Sequence, residues 1–289
     1  MEEFTSRIGT HADNFELIRN FLRFLIIPSD NRPNLKINKR DNIVIENANF
    51  RYPNANKDAL KNINLTIKPG ETIAIVGENG AGKTTLVKLL TGLYKPTNGS
   101  VKIGKTDVNT TSYRSLFEKV SGVFQKYQRY ALTLKENVQI SDLKNECNEN
   151  KVEETLEQNS INVKNKDIFP NGLDTMLSRE FDGIDLSGGQ WQRIAIARGL
   201  YRDSDIIVLD EPTAAIDPIE ESAIYKKFMK ISEDKTAIIV THRMGSAKIA
   251  ERIIVMKDGE ITEMGDHDKL LNDDGVYAEM YNAQSGWYK

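Results

Sequence analysis

The sequence predicts an α/β fold on a mostly parallel sheet covered on both faces, and three observations carry that prediction. Short apolar runs, Thr72-Ile73-Ala74-Ile75-Val76, Ile206-Ile207-Val208-Leu209 and Ala237-Ile238-Ile239-Val240, read as buried strands. Helical stretches alternate with these runs. The glycine-rich run Gly77-Glu78-Asn79-Gly80-Ala81-Gly82-Lys83-Thr84 stands between the first strand and a helix, the context in which such a loop cradles phosphate. A length of 289 residues admits one large domain or two moderate ones, at about 150 residues each. It also suffices for a core without disulfides or structural metal.

In chain order, the first zone runs over residues 1–38. Phe15, Ile18, Phe21, Leu22, Leu25 and Ile26 recur at three- and four-residue spacing, as on an amphipathic helix that stops at Pro28. The second zone, residues 39–289, opens with strands. Ile63, Leu65 and Ile67 alternate with polar residues, the pattern of a half-buried strand, and Pro69-Gly70 makes a turn into the first apolar run. A helix from Gly82 to Leu90 follows the glycine-rich loop and fades at Gly92. Residues 126–185 are more polar and read as a mostly helical insertion, with Val152 and Leu156 one turn apart. A helix after Ser187 leads to the strand at Ile206. Asp217-Pro218 with Glu220 reads as an N-cap, Pro at N1 and an acid at N3, opening a helix that ends near Ser232. Ile253 to Met256, Asp258-Gly259 and Glu260 to Met264 form a hairpin by their turn chemistry.

Composition narrows the function classes. Charged residues at 28% and apolar ones at 39% give an ordinary globular balance. A formal net charge of −3 lacks the basic excess of a dedicated nucleic-acid binder. Cys147 alone rules out a disulfide scaffold or a cysteine-cluster metal site, and fits a reducing compartment. The apolar stretch Phe21 to Ile27 is interrupted by Arg23 and falls short of the roughly 20 residues of a spanning helix. Glu2, Glu3 and Asp13 stand where a signal peptide would carry basic and apolar residues. These features place the chain in the cytoplasm, reaching a membrane through a partner.

Chemistry concentrates at three motifs. The run Gly77 to Thr84 matches G-x-x-x-x-G-K-[ST] in full: its glycines turn N–H groups inward at a helix N-terminus. Lys83 then reaches the β/γ-phosphates, and the Thr84 hydroxyl can hold Mg²⁺, with Thr85 beside it. The alternative is a glycine-rich turn that merely joins strand to helix. Asp210-Glu211 closes a buried strand, where carboxylates project into the crevice that binds ligands. Asp210 is placed to hold Mg²⁺ through water and Glu211 to take a proton from attacking water; alone, such a pair would start a solvated loop. In Leu186-Ser187-Gly188-Gly189-Gln190, Ser187 is an N-cap candidate and the glycines expose N–H groups to an anion; the plain alternative is an ordinary capped helix.

With these three motifs in this order, the chain resembles the ATP-binding cassette (ABC) ATPases, whose signature is L-S-G-G-Q, over about residues 41–271. The resemblance implies a P-loop core with a small antiparallel β subdomain and a helical insertion. Phe50-Arg51-Tyr52-Pro53 resembles the family's aromatic loop, implying that Tyr52 stacks on adenine; otherwise Tyr52 ends a strand. Gln125 is similar to the glutamine that senses Mg²⁺ and the membrane subunit. Ala215-Ile216-Asp217 resembles the loop between two ATP sites, alongside the capping reading of Asp217. His242, in Val240-Thr241-His242-Arg243, matches the switch histidine at the γ-phosphate, against a core-histidine alternative. His267 and His11 carry no such support and read as solvated.

Glu211, His242, Gln125 and Lys83 are thus the catalytic candidates, and ATP and Mg²⁺ the implied ligands. The family pairs two subunits head to tail, each ATP lying between one chain's phosphate loop and the other's Ser187-Gly188-Gly189-Gln190. A homodimer and a pairing with a different half both fit the intact motifs. The opening zone is similar to the segment that leaves an exporter's last transmembrane helix, so a transmembrane domain or subunit is the implied partner at the cytoplasmic face of the membrane.

Arg179-Glu180-Phe181-Asp182-Gly183-Ile184-Asp185 departs from the G-E-R-G-like loop common in exporters. With Lys126-Tyr127-Gln128 after Gln125 and Trp191-Gln192-Arg193 after the signature, the chain resembles bacterial peptide or bacteriocin exporters. ABC proteins of DNA repair or translation are the rival class. A missing long heptad arm, a missing second cassette and the acidic balance count against them.

Overall fold

The structure, a computed structural model, describes residues 32–34, 41–211, 225, 228–230, 232 and 234–285. The amphipathic stretch of the first zone, His11, Ala215-Ile216-Asp217 and the Asp217 capping group lie outside them.

The described chain begins with β1 (Ile43–Phe50) and β2 (Leu60–Ile67), then β3 (Thr72–Gly77), α1 (Lys83–Leu90), β4 (Asn98–Ile103), β5 (Thr106–Asp107), α2 (Tyr113–Glu118) and β6 (Val120–Val123). Helices α3 (Leu134–Gln139), α4 (Glu149–Gln158) and α5 (Gly188–Tyr201) precede β7 (Ile206–Asp210) and β8 (Thr236–Val240). The described chain closes with α6 (Met244–Ala247), β9 (Arg252–Lys257), β10 (Glu260–Gly265), α7 (His267–Asn272) and α8 (Val276–Ser285).

Two sheets result. The antiparallel one has the order β2-β1-β4-β5; the larger one runs β10-β9-β3-β8-β7-β6, parallel throughout except at β10. Every residue of β3, β7 and β8 is buried, as expected of strands covered on both faces. Side-chain alternation splits β3 between two cores. Ile73 and Ile75 join Ile43, Ile45 and Ile63 of the antiparallel sheet and Leu86 and Leu90 of α1, whereas Ala74 and Val76 meet Met244, Ile253, Val255 and Tyr277. The β9–β10 turn has Asp258 and Gly259 at φ 52° and 82°, positive at both central residues as a type I′ hairpin requires.

The insertion departs from its mostly helical expectation. Within residues 126–185 the structure holds α3, α4 and two single 3₁₀ turns, Gly172–Asp174 and Arg179–Phe181; the rest is irregular. Asparagines explain much of this, because their side chains compete for backbone N–H groups. Asn162 accepts from Lys164 N–H at 3.0 Å and Asn165 from Asp167 N–H at 3.1 Å. The insertion's apolar residues, Leu134, Val138, Val152, Leu156 and Phe169, pack on Trp191, Ile194, Ala197 and Tyr201 of α5. Helix α5 is therefore the base of this unit.

Candidate active site

Parallel strands deliver the site. The chain leaves β3, β6, β7 and β8 at the same sheet edge, and the next residues are the glycine-rich loop, Gln125, Glu211 and His242. This is where open α/β sheets bind ligands. A cavity of about 650 Å³ opens there, lined by Asn79, Gly80, Gly82, Lys83, Thr84, Thr85, Tyr52, Gln125, Glu211 and His242, with Ala59 beside them. Its volume falls in the range of small-molecule sites.

The loop's shape depends on glycine at two places for different reasons. Gly77, at φ 148°, passes so close to β9 that a Cβ would stand 2.2 Å from the Met256 carbonyl oxygen. Gly82 caps α1 in the left-handed region at φ 99° with no side-chain cap, so the first N–H groups of the helix stay available to an anion. Ala81 turns its methyl into the core beneath the loop, so its side chain packs there and only its backbone belongs to the cradle.

Lys83 is buried, 5% exposed, and its ammonium donates to the Gly77 and Glu78 carbonyls at 2.9 and 3.0 Å. Burial lowers its pKa, against the pull of the Glu211 and Asp210 charges. The Thr84 hydroxyl donates to Asp210 Oδ1 at 3.3 Å. Asp210, 2% exposed, has its carboxyl pKa raised by burial, opposed by that hydrogen bond. Among the described residues no three His, Cys, Asp or Glu side chains gather as a metal cage. A hydroxyl beside one carboxylate suits Mg²⁺, which keeps waters and binds substrate phosphate with few protein ligands.

Glu211 occupies the left-handed region at φ 49°, an unusual place for a residue with a side chain, and its N–H donates to the Val240 carbonyl at 3.1 Å. This turns its carboxylate toward β8, where Glu211 Oε1 lies 2.5 Å from His242 Nε2. His242 Nδ1 lies 3.5 Å from Lys83 Nζ. Tyr52 lines the same cavity, its hydroxyl 2.9 Å from that of Thr85 and its ring edge-on to Phe50 and Tyr94. Tyr94, which also stacks on Phe50, escapes the sequence reading because nothing local marks a ring that far along the chain.

Ser187, Gly188, Gly189 and Gln190 lie off this cavity. They open α5 as a capping box: Ser187 Oγ accepts from Gln190 N–H, and Gln190 Oε1 accepts from Ser187 N–H. A Cβ on Gly188 or Gly189 would meet nothing within 4 Å. The Tyr127 hydroxyl donates to the Gly188 carbonyl at 3.0 Å, joining the segment after Gln125 to this helix start. His267 is not solvated as expected: it is half-buried, with Nδ1 2.8 Å from the Tyr277 hydroxyl and its ring against Tyr281.

The family model described as ABC transporter matches residues 60–214. The nisin transport ATP-binding protein NisT of Lactococcus lactis is 39% identical over 244 residues, 84% of this chain and 40% of that protein. An ATP-dependent lipid A-core flippase of Methylobacillus flagellatus is 36% identical over 284 residues, 98% of this chain and 47% of that protein. The structure of a bacterial Atm1-family ABC exporter with ATP bound superposes with a TM-score of 0.81 at 28% identity, covering 92% of this chain and 46% of that one. The chain thus spans less than half the length of each of these relatives.

Proposed function

The chain belongs to the ABC transporter family, and from that premise we propose that it binds and hydrolyses ATP to drive export through a transmembrane partner. The observation that carries this reading is the single sheet edge at which the phosphate loop, Asp210, Glu211 and His242 come together.

Each residue has a task in this reading. Tyr52 stacks on adenine, held upright by Phe50 and Tyr94. The loop N–H groups and Lys83 hold the phosphates, Lys83 turning from the Gly77 and Glu78 carbonyls toward them. Thr84 and Asp210, with Gln125 at the rim, hold Mg²⁺, which when bound neutralises phosphate charge. Glu211 accepts the proton of the attacking water, and His242, its partner at 2.5 Å, reaches the γ-phosphate. Ser187, Gly188 and Gly189 lie off the chain's own cavity, with free space beside the two glycines. That supports their service at a second subunit's ATP in a head-to-tail dimer. Such a dimer sits at the cytoplasmic face of the membrane, bound to its transmembrane domain or subunit. The nisin and subtilin transport proteins, both at 39% identity, support a bacteriocin-type peptide as cargo.

Glu211→Gln tests the reading, since it removes the base and keeps the cradle. ATP binding should persist while turnover falls about 10²–10⁴-fold, and the variant should accumulate as an ATP-bound dimer on a sizing column. Hydrolysis within a few-fold of the parent would move the base elsewhere.

A further inference from the structure

His242 sits on irregular backbone between β8 and α6, so the groups that hold it come from outside the strand ladder. Buried backbone groups need partners, and those around His242 can be followed one by one. Thr241 N–H donates to the Ile75 carbonyl at 3.3 Å, and Arg243 N–H to the Thr241 hydroxyl at 3.0 Å. The next two groups end on one side chain of the last helix. Gln284 Nε2 donates to the His242 carbonyl at 2.5 Å, and Gln284 Oε1 accepts from Met244 N–H at 3.0 Å.

A primary amide carries a donor and an acceptor on one rigid plane. Here it spans the backbone on both sides of Arg243. Met244 opens α6, whose N-cap residue Arg243 supplies no side-chain cap, so Gln284 caps that helix from 40 residues further along the chain.

The helix that presents Gln284 is itself anchored. Glu263 of β10 accepts from Val276 N–H at 2.6 Å and Tyr277 N–H at 3.1 Å, pinning the start of α8. Tyr277 is fully buried, its hydroxyl against His267. Gln284 lies seven residues further on, about 10 Å along the helix.

We propose that Gln284 is a positioning residue: it clamps the backbone of His242 so that the imidazole stands between Glu211 and Lys83. The inference rests on the reading that His242 serves ATP hydrolysis. It implies that the C-terminal helix, remote from the nucleotide in sequence, sets the readiness of the switch. Displacing α8 would loosen His242 without touching the phosphate loop.

The test compares Gln284→Ala, Gln284→Glu and His242→Ala, and the pair Gln284→Ala with His242→Ala, in the full chain, by steady-state and single-turnover ATP hydrolysis. Gln284→Ala should lower kcat about 10-fold, since small misplacements of catalytic groups cost up to about 10²-fold, with KM for ATP within about twofold. Gln284→Glu keeps the length and the acceptor but has no donor for the His242 carbonyl, so it should fall at least as far. On the His242→Ala background, Gln284→Ala should cause no further loss, because neighbours acting through one group are not additive.

A His242→Ala variant that hydrolyses like the parent would overturn the underlying reading. A crippled His242→Ala beside a parent-like Gln284→Ala would overturn the clamp alone. So would an equal further fall on both backgrounds, the mark of a general structural role. Thermal melts establish that each variant is folded, and Gln284→Glu carries the test if Gln284→Ala is not.

Discussion

The sheet edge and the helix start at Ser187 both present glycines, hydroxyls and open N–H groups, yet they are built on opposite principles. At the sheet edge, buried parallel strands fix where each side chain emerges, and the glycines are forced by packing: Gly77 has the Met256 carbonyl where a Cβ would be. At Ser187 the base is α5 and its capping box, the surrounding chain is largely irregular, and Gly188 and Gly189 have no steric need to be glycine. A glycine that the fold does not need points to something the fold alone does not contain. The first region assembles within one chain; in the proposed reading the second serves the nucleotide of another.

The largest effect expected from this contrast is complementation between subunits. Lys83→Ala should lose phosphate binding, and Ser187→Arg should place bulk where a helix N-terminus meets phosphate. Each homodimer should be nearly inactive. Mixed at concentrations where dimers form, they should regain part of the activity, because one of the two sites then has an intact loop and an intact signature. Absence of both rescue and mixed dimers under ATP would sink the head-to-tail arrangement.

One substitution made in both regions sharpens the comparison. Gly77→Ala meets a backbone oxygen at 2.2 Å and a strained φ, so it should destabilise the fold by about 1–3 kcal/mol or more. Gly188→Ala enters open space at the first position of α5 and should stabilise by at most about 0.5–1 kcal/mol, the gain in a helix interior. If a partner's phosphate must approach that backbone, it should nevertheless lower ATPase activity. Chemical denaturation and hydrolysis assays separate the two, and an active Gly188→Ala would remove the approach.

The smallest effect is a pH dependence at Asp210. Its carboxyl pKa is raised by burial, so ionisation is harder in the folded state than in the unfolded one. Stability associated with the protonated form is present below the unfolded pKa and is lost as pH rises through the folded one. Asp210→Asn should therefore raise the Tm at neutral pH, by a margin that shrinks on acidification, while Mg²⁺-dependent hydrolysis is lost. A margin constant from pH 7 downward would assign the gain to something other than charge.

Legibility in the sequence follows the range of the interaction. The strands β3, β7 and β8 announce themselves because burial on both faces makes them continuously apolar. The phosphate loop does so because its parts are consecutive. The strand β4 hides because it opens Asn98-Gly99-Ser100, exposed or half-exposed, before Val101 and Ile103 turn inward. The insertion misleads because Val152 and Leu156 do lie on a helix, while the asparagines after it hold their own turns. The Thr84–Asp210 contact can be inferred only from knowing where both strands end. Gln284 and Tyr94 cannot be picked out at all, since an amide or a ring acquires its role only when distant backbone arrives beside it.

The anchoring of Lys83 on its two carbonyls has a consequence for energetics. A lysine free in solvent loses about 2 kcal/mol of rotamer entropy when it is held in one place. Here that ordering happens when the chain folds, before any nucleotide arrives. That entropy is thus lost on folding, and binding phosphate has only to redirect an ordered ammonium that gives up its two carbonyl partners. Nucleotide that binds the folded chain should raise the melting temperature as its concentration passes Kd. The site resembles a set latch: folding places the bolt, and the ligand only has to turn it.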